Sequence, residues 1–341
     1  MGKNDRSANK DSKKEKLFFR LFTAAVFIFG AGFLLWGQYN SSVQIFDAWV
    51  MRYNIDNVLE ADSEYSLTAH ERAQYEALLE KGNSRLSGSA VDTRRYSAST
   101  AGTLFDGAGT TEFSYTYVDN KSDTTVIILH GYNQNSADSA IYAPLWLDLG
   151  YNIIIPELRG HGKEESATTF GVWEKYDLFD LITAEGLQDD KVIICARGIG
   201  AAAAIFLAAD PNYNTDIDLI VAESVYSDLK TLELRQLKRQ FRLGDYFVGK
   251  FIDITVRKGL GFDPSDADLK NAAASVAVPI LFISGGEDDF LGYWNTKEVY
   301  DSCAGEKELL VIGDAKHLMV YTLGCDEYGT AVRLMLGKLE F

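Results

Sequence analysis

The pattern of apolar and polar positions divides the chain into stretches of different texture. Residues 1–16, MGKNDRSANKDSKKEK, are polar and lysine-rich, and residues 17–37 then run apolar with Arg20 as the only charge. A stretch of that length suits a helix crossing a ~30 Å hydrocarbon core, and Arg20 sits near enough to one end to snorkel. The pattern predicts a single transmembrane helix over 17–37. Its basic flank precedes it, so the positive-inside rule leaves residues 1–16 in the cytoplasm and sends everything after residue 38 outside. A cleaved signal peptide is the rival reading, but no small-x-small site closes the stretch cleanly. Myristoylation is excluded, because Arg6 stands where that motif needs Ser or Thr.

Over 38–91 the pattern predicts a helical stalk or packing arm, with Phe46, Val50, Tyr53, Tyr75, Leu78 and Leu79 at helical spacing. The turn-rich KGNSRLSGSAVD leads into the main domain, 92–341. EFSYTYVD (112–119) alternates as a half-buried strand does. Short apolar runs follow: TTVIILHG, YNIIIP, KVIICA, IDLIVAES and PILFISG, separated by helix-patterned segments such as 136–150 and 172–187. Runs that are apolar at every position read as strands buried on both faces, and parallel strands need helical crossovers. The prediction is an α/β fold, a mostly parallel open sheet flanked by helices. Residues 228–268 interrupt the alternation with a helical, locally basic excursion. An insertion after a strand's carboxyl end tends to cover the ligand crevice, so this segment is expected to form a small cap.

Composition narrows the function classes. Hydrophobic residues make up 47% of the 341, enough for a full core, and the net charge of −16 argues against nucleic acid as a partner. Cys195, Cys303 and Cys325 lack the paired spacing of a zinc site or a disulfide framework. Cys195 reads as a core filler, and a Cys303–Cys325 bridge stays open. No metal or cofactor is expected. The basic run LRQLKRQFR in the cap reads as a solvated helix face, with contact to anionic lipid headgroups as the alternative.

Candidate chemistry collects at strand ends. In chain order these are LHGYNQN, with His130 and Gly131; PELRGHG; ICARGIGAAAA; ISGGEDDF, with Asp288; and IGDAKHLMVY, with His317. Together these blocks, over roughly 92–341, resemble the α/β-hydrolase superfamily. They look most like single-pass, membrane-anchored bacterial hydrolases whose blocks read HGWxxN, RGHG, GxSMG and G-x-x-D-x-F-V-P, with a late G-H. His130, Gly131, Arg159 to Gly162, Gly200, Asp288, Phe290 and His317 match. Gly198 stands where the nucleophilic Ser belongs, Ala196 replaces the first elbow glycine, Lys316 the glycine before the histidine, and Gly292 a proline. The resemblance implies that Gly198 occupies the nucleophile elbow and that the N–H groups of Ile199 and Tyr132 point at an oxyanion. It makes His317 the general base and Asp288, rather than Asp289, the acid that orients it. His130 and His161 are expected to brace loops. Arg197 either points to solvent or puts a charge at the pocket mouth.

Glycine adopts the strained elbow backbone without the cost of about 1–3 kcal/mol that a Cβ incurs. It offers no oxygen to attack a carbonyl. Losing a serine nucleophile costs about 10⁶-fold in rate in a well-studied hydrolase, roughly 8 kcal/mol of barrier. Cys195 lies in a buried strand, and Ser224 and Ser227 end a different one, so none of the three replaces it plainly. Three readings follow: a membrane-anchored pseudo-hydrolase that binds a small ester, peptide or lipid-like ligand or a partner protein; an active hydrolase in which His317 and Asp288 activate water; and a structural interaction module at the cell surface. The ligand and the oligomeric state are not encoded in local patterns.

Overall fold

The computed structural model describes residues 21–23, 26–37, 39–40, 67–98, 111–163, 166–213, 217–232 and 253–341. Its centre is an eight-stranded sheet. Strands β1 (Val91–Ala98) and β2 (Thr111–Val118) form an antiparallel ribbon, which continues into β4 (Asn152–Pro156), β3 (Thr124–Leu129), β5 (Lys191–Arg197), β6 (Ile217–Glu223), β7 (Ile280–Gly285) and β8 (Lys307–Ile312). From β4 to β8 every pairing is parallel; β2 meets β4 antiparallel. Every residue of β3, β4 and β7 is buried, so these strands carry apolar side chains on both faces instead of alternating. Because β3, β5, β6 and β7 run in one direction, their carboxyl ends share one edge of the sheet.

The helices include α1 (Ala69–Ser87), α2 (Ala143–Asp148), α3 (Glu174–Ala184), α4 (Gly198–Ala208), α5 (Leu269–Ala273), α6 (Tyr293–Ser302), α7 (Val320–Leu323) and α8 (Cys325–Lys338), with short 3-10 turns between some of them. Helix α4 is buried from Gly198 to Leu207, which accounts for its uninterrupted apolar sequence. The helix expected over 136–150 divides in two: Asn135 caps a 3-10 turn, Ser136–Tyr142, and Pro144 then starts the short α2. β1 and β8 escape the apolar-run criterion. The first, VDTRRYSA, is largely polar and exposed, and the second, KELLVI, is buried fully at Ile312 alone.

Helix α1 is a packing arm over its described length. Thr68 and Glu71 close a capping box at its start, Tyr75 is fully buried, and a Cβ on Gly82 would lie 2.0 Å from Ala140 O. Residues 38 and 41–66 of the expected stalk and the tail 1–16 lie outside the described residues. Residues 26–37 are helical, with Phe27, Ile28, Phe29 and Phe33 exposed. Among the described residues no helix is long and apolar enough to cross a membrane; positions 17–20, 24 and 25 of the expected span are outside them. The expected cap leaves and returns at one point, closed by an Asp228–Asp268 bridge and a Leu229 N–H to Ala267 O bond of 2.9 Å; its residues 233–252 are not described. All three cysteines are free thiols, so Cys303 and Cys325 are not bridged.

The close approach of α1 to the body has a measurable consequence. Alanine favours helices over glycine by about 1 kcal/mol, yet Gly82→Ala is expected to lower stability by about 1–3 kcal/mol through overpacking against Ala140. Chemical denaturation checks this, and unchanged stability would contradict the packing.

Candidate functional site

The site is built where β5 ends. Arg197 is still extended, at φ −115° and ψ 141°, and Gly198 turns at φ +51° directly into α4. Gly200, one turn-step on, lets the helix press against β3: a Cβ there would meet Leu129 Cβ at 2.6 Å and His130 O at 2.8 Å. Ala196 lies inside β5, buried, where its methyl replaces a glycine of the resembled pattern. At Gly198 itself there is room. A Cβ would meet nothing nearer than Gly131 Cα at 3.8 Å, with Tyr132 N and Ser224 O each at 4.0 Å. The turn thus combines a positive φ with open space where a side chain would stand.

Tyr132 follows β3 and His130–Gly131, and its backbone nitrogen therefore borders the Gly198 position. Its ring stacks on Phe170 at 6.0 Å and meets His161 edge-on at 6.3 Å. The Gly131 N–H donates to Gln134 Oε1 at 2.8 Å, which shapes this loop. Ile199 N–H belongs to the first turn of α4, among the amides an α-helix leaves without intrahelical partners.

Asp288 and His317 come together from the loops after β7 and β8. His317 Nδ1–H donates to Asp288 Oδ2 at 2.8 Å. The other oxygen, Oδ1, accepts backbone N–H groups from Phe290 (3.0 Å), Leu291 (2.8 Å) and Gly292 (3.3 Å). Burial would raise the Asp288 pKa, but His317 and the Leu291 and Gly292 amides overcome it and hold the carboxyl below its ordinary value. Phe290 packs on the imidazole with ring centroids 4.9 Å apart. Of the two adjacent acids, it is Asp288 that hydrogen-bonds the histidine and sits in this cradle of amides.

His130 and His161 serve the backbone. His130 Nδ1 lies 2.9 Å from Gly131 O, and its Nε2 is 3.1 Å from the Leu158 N–H and 2.9 Å from Glu157 Oε1, a side-chain contact besides the backbone ones. His161 donates to Arg159 O at 3.0 Å. Arg159 is clamped by both oxygens of Asp177 on α3.

Arg197 contradicts both expectations for it: it points neither to solvent nor to a pocket mouth. It is 1% exposed, its stem lies against Gly131, and its Nε donates to Glu223 Oε1 at 2.7 Å. Tyr142 OH donates to the other Glu223 oxygen at 2.7 Å. Burial works against the charged guanidinium, and Glu223 outweighs it, keeping the pKa above its ordinary value. Nη1 and Nη2 of Arg197 have no hydrogen-bond partner among the described residues, nor does Ser224 Oγ. Ser224 also holds φ +50°, so the strand ends on both sides of the turn share an unusual backbone. Sequence reasoning missed the Arg197–Glu223–Tyr142 cluster. The available signal was a charge ending each of two adjacent apolar strands; Arg197 and Glu223 are register partners across β5 and β6. Among the described residues no cluster of His, Cys, Asp or Glu could hold a metal ion.

No family model matches the chain. The uncharacterized protein YqkD of Bacillus subtilis (strain 168) is 25% identical over 230 residues, covering 66% of this chain and 75% of that protein. Among solved structures, the Pyrococcus furiosus esterase Pf2001 is similar at a TM-score of 0.56 and 24% identity, over 75% of this chain and 94% of that one. A bromoperoxidase from Bacillus anthracis follows at 0.51 and 15%, over 72% and 100%. An esterase from Thermogutta terrifontis, with malate bound, gives 0.50 and 18%, over 73% and 100%. With the sheet order above, these likenesses show an α/β-hydrolase fold.

The buried pair beneath the turn yields a stability test. Glu223→Ala leaves Arg197 buried without its counter-charge and is expected to cost about 3–5 kcal/mol. Arg197→Met combined with Glu223→Leu removes both charges and is expected to recover most of that loss. Equal losses in the single and double variants, measured by urea denaturation, would contradict the pairing.

Proposed function

We propose that this chain is an α/β-hydrolase-fold protein that has lost covalent catalysis and uses its elbow pocket to bind a ligand. The observation that carries the reading is Gly198: it keeps the positive φ of the turn and the space for a side chain, but has no oxygen. A serine there would be the nucleophile of acyl transfer; without it no acyl-enzyme forms at this position. The remaining groups still suit a carbonyl or carboxyl group. Tyr132 and Ile199 amides would receive the oxygen, and His317, oriented by Asp288, would hydrogen-bond the group beside it. The ligand is accordingly a small ester, peptide or lipid-like compound, or a partner protein takes its place.

A second reading has its own support in the Asp288–His317 hydrogen bond of 2.8 Å. With that pair in place, His317 could take a proton from a water standing where the side chain is missing; the water would attack the carbonyl, and as the acyl C–O bond breaks His317 would return the proton to the departing alcohol. Oxyanion donors and binding alone retain about 10³–10⁴-fold catalysis over water in hydrolases stripped of their triad. The first reading predicts no detectable turnover by the parent.

The proposal also places the protein at a membrane, with residues 17–37 as a single span and the hydrolase-fold domain extracytoplasmic. Its support is the apolar run after a lysine-rich tail.

Two measurements test these statements. The parent is expected to be silent toward activated esters and unlabelled by a fluorophosphonate probe, whereas Gly198→Ser is labelled at position 198. Turnover by the parent that disappears in His317→Ala would overturn the first reading in favour of water activation. For topology, added protease should remove the large domain from intact cells; full protection would refute the orientation.

A further inference from the structure

The residue before His317 departs from the resembled pattern: Lys316 stands where a glycine is usual, and its ammonium is used. Lys316 Nζ lies 2.9 Å from Glu71 Oε2 on helix α1, with the two side chains 23% and 16% exposed. Glu71 is anchored at the same time. Its Oε2 accepts the Thr68 N–H at 2.7 Å, and its own N–H donates to Thr68 Oγ1 at 3.2 Å. The pair therefore joins a capped helix start to the backbone that presents the imidazole. Lys316 is itself the residue that begins the 3-10 turn His317–Met319, whose Met319 N–H returns to Lys316 O at 2.9 Å.

One turn further along, α1 reaches the loop on the other side of the elbow. Tyr75, fully buried, donates to Asp138 Oδ1 at 3.5 Å. Asp138 Oδ2 accepts the Asn135 N–H at 3.0 Å, and Asn135 caps the 3-10 turn of the same loop that carries Tyr132. Gly82 then brings the helix into contact with Ala140. An arm held by apolar packing alone would need none of these polar contacts. Here two of them fall next to His317 and within the loop of the Tyr132 amide.

We infer that helix α1 is a positioning element of the site, fixing the His317 loop through Glu71–Lys316 and the Tyr132 loop through Tyr75–Asp138. Glu71, Lys316 and Tyr75 act through other residues and touch no ligand. The inference goes beyond the binding reading and does not depend on it, since it concerns where His317 and Tyr132 are held.

Hydrogen–deuterium exchange on the full chain tests it without any turnover. Lys316→Met removes the ion pair but leaves the Thr68–Glu71 capping box intact. It is expected to speed exchange of amides 315–319 about fivefold while amides of β3, β5 and β7 stay at parent rates. Lys316→Arg, which keeps the charge, should exchange as the parent does. Tyr75→Phe should speed exchange across 131–138 and not across 315–319. The His317 Nδ1–H proton resonance should broaden in Lys316→Met and stay sharp in Lys316→Arg. The inference is overturned if the loops keep parent rates in Lys316→Met and Tyr75→Phe. It is equally overturned if exchange rises uniformly over the sheet, which is what a purely structural arm would give.

Discussion

Everything at this site hangs on the turn between β5 and α4. A parallel strand delivers the chain to the carboxyl edge of the sheet, and a helix must start at once to carry it back across the face. Only a backbone in the left-handed region makes that reversal in one residue, and Gly198 holds it at φ +51°. In a working hydrolase the same geometry is loaded onto a serine and its strain is part of exposing the oxygen. Glycine retains the shape without strain. The neighbouring Gly200 lets α4 press on β3, which holds the start of the helix against Leu129 and His130.

Beneath the turn lies polar material rather than more core. Arg197 and Glu223 end adjacent strands in register, and Tyr142 completes the carboxylate's contacts. Burying two charges is costly, so this cluster is weak evidence for stability, but it does pin the ends of β5 and β6 to one another. The loops above the turn are held separately, by the β7 and β8 connections and by the arm helix. Asp288 shows how thorough that holding is: one oxygen faces His317 and the other accepts three backbone amides. An acid so satisfied stays ionised despite burial, and it keeps the imidazole in one orientation.

Much of this was legible in the chain because the apolar runs and the motif residues are local. TTVIILHG is buried throughout, and KVIICA and PILFISG at every position after the first; that burial is what their lack of alternation encodes. Gly198, Asp288 and His317 sit at strand ends, so naming the strands placed them at one edge. The edge strands β1 and β8 were not legible, since β1 is largely exposed and β8 only partly covered, and neither shows a run or a clean alternation. Arg197 was misread because a charge beside an elbow says nothing of its own direction; its partner, Glu223, is set by pairing between strands distant in sequence. Lys316 and Glu71 are 245 positions apart, and only the fold brings them together.

The central proposal is that this is a hydrolase site short of one oxygen. A crystal structure of the Gly198→Ser variant tests it most directly. The account predicts a turn superimposable on that of the parent, with the new hydroxyl within hydrogen-bond reach, about 2.6–3.2 Å, of the His317 imidazole. A serine hydroxyl directed away from His317, or a turn that has to shift to admit the side chain, would contradict it.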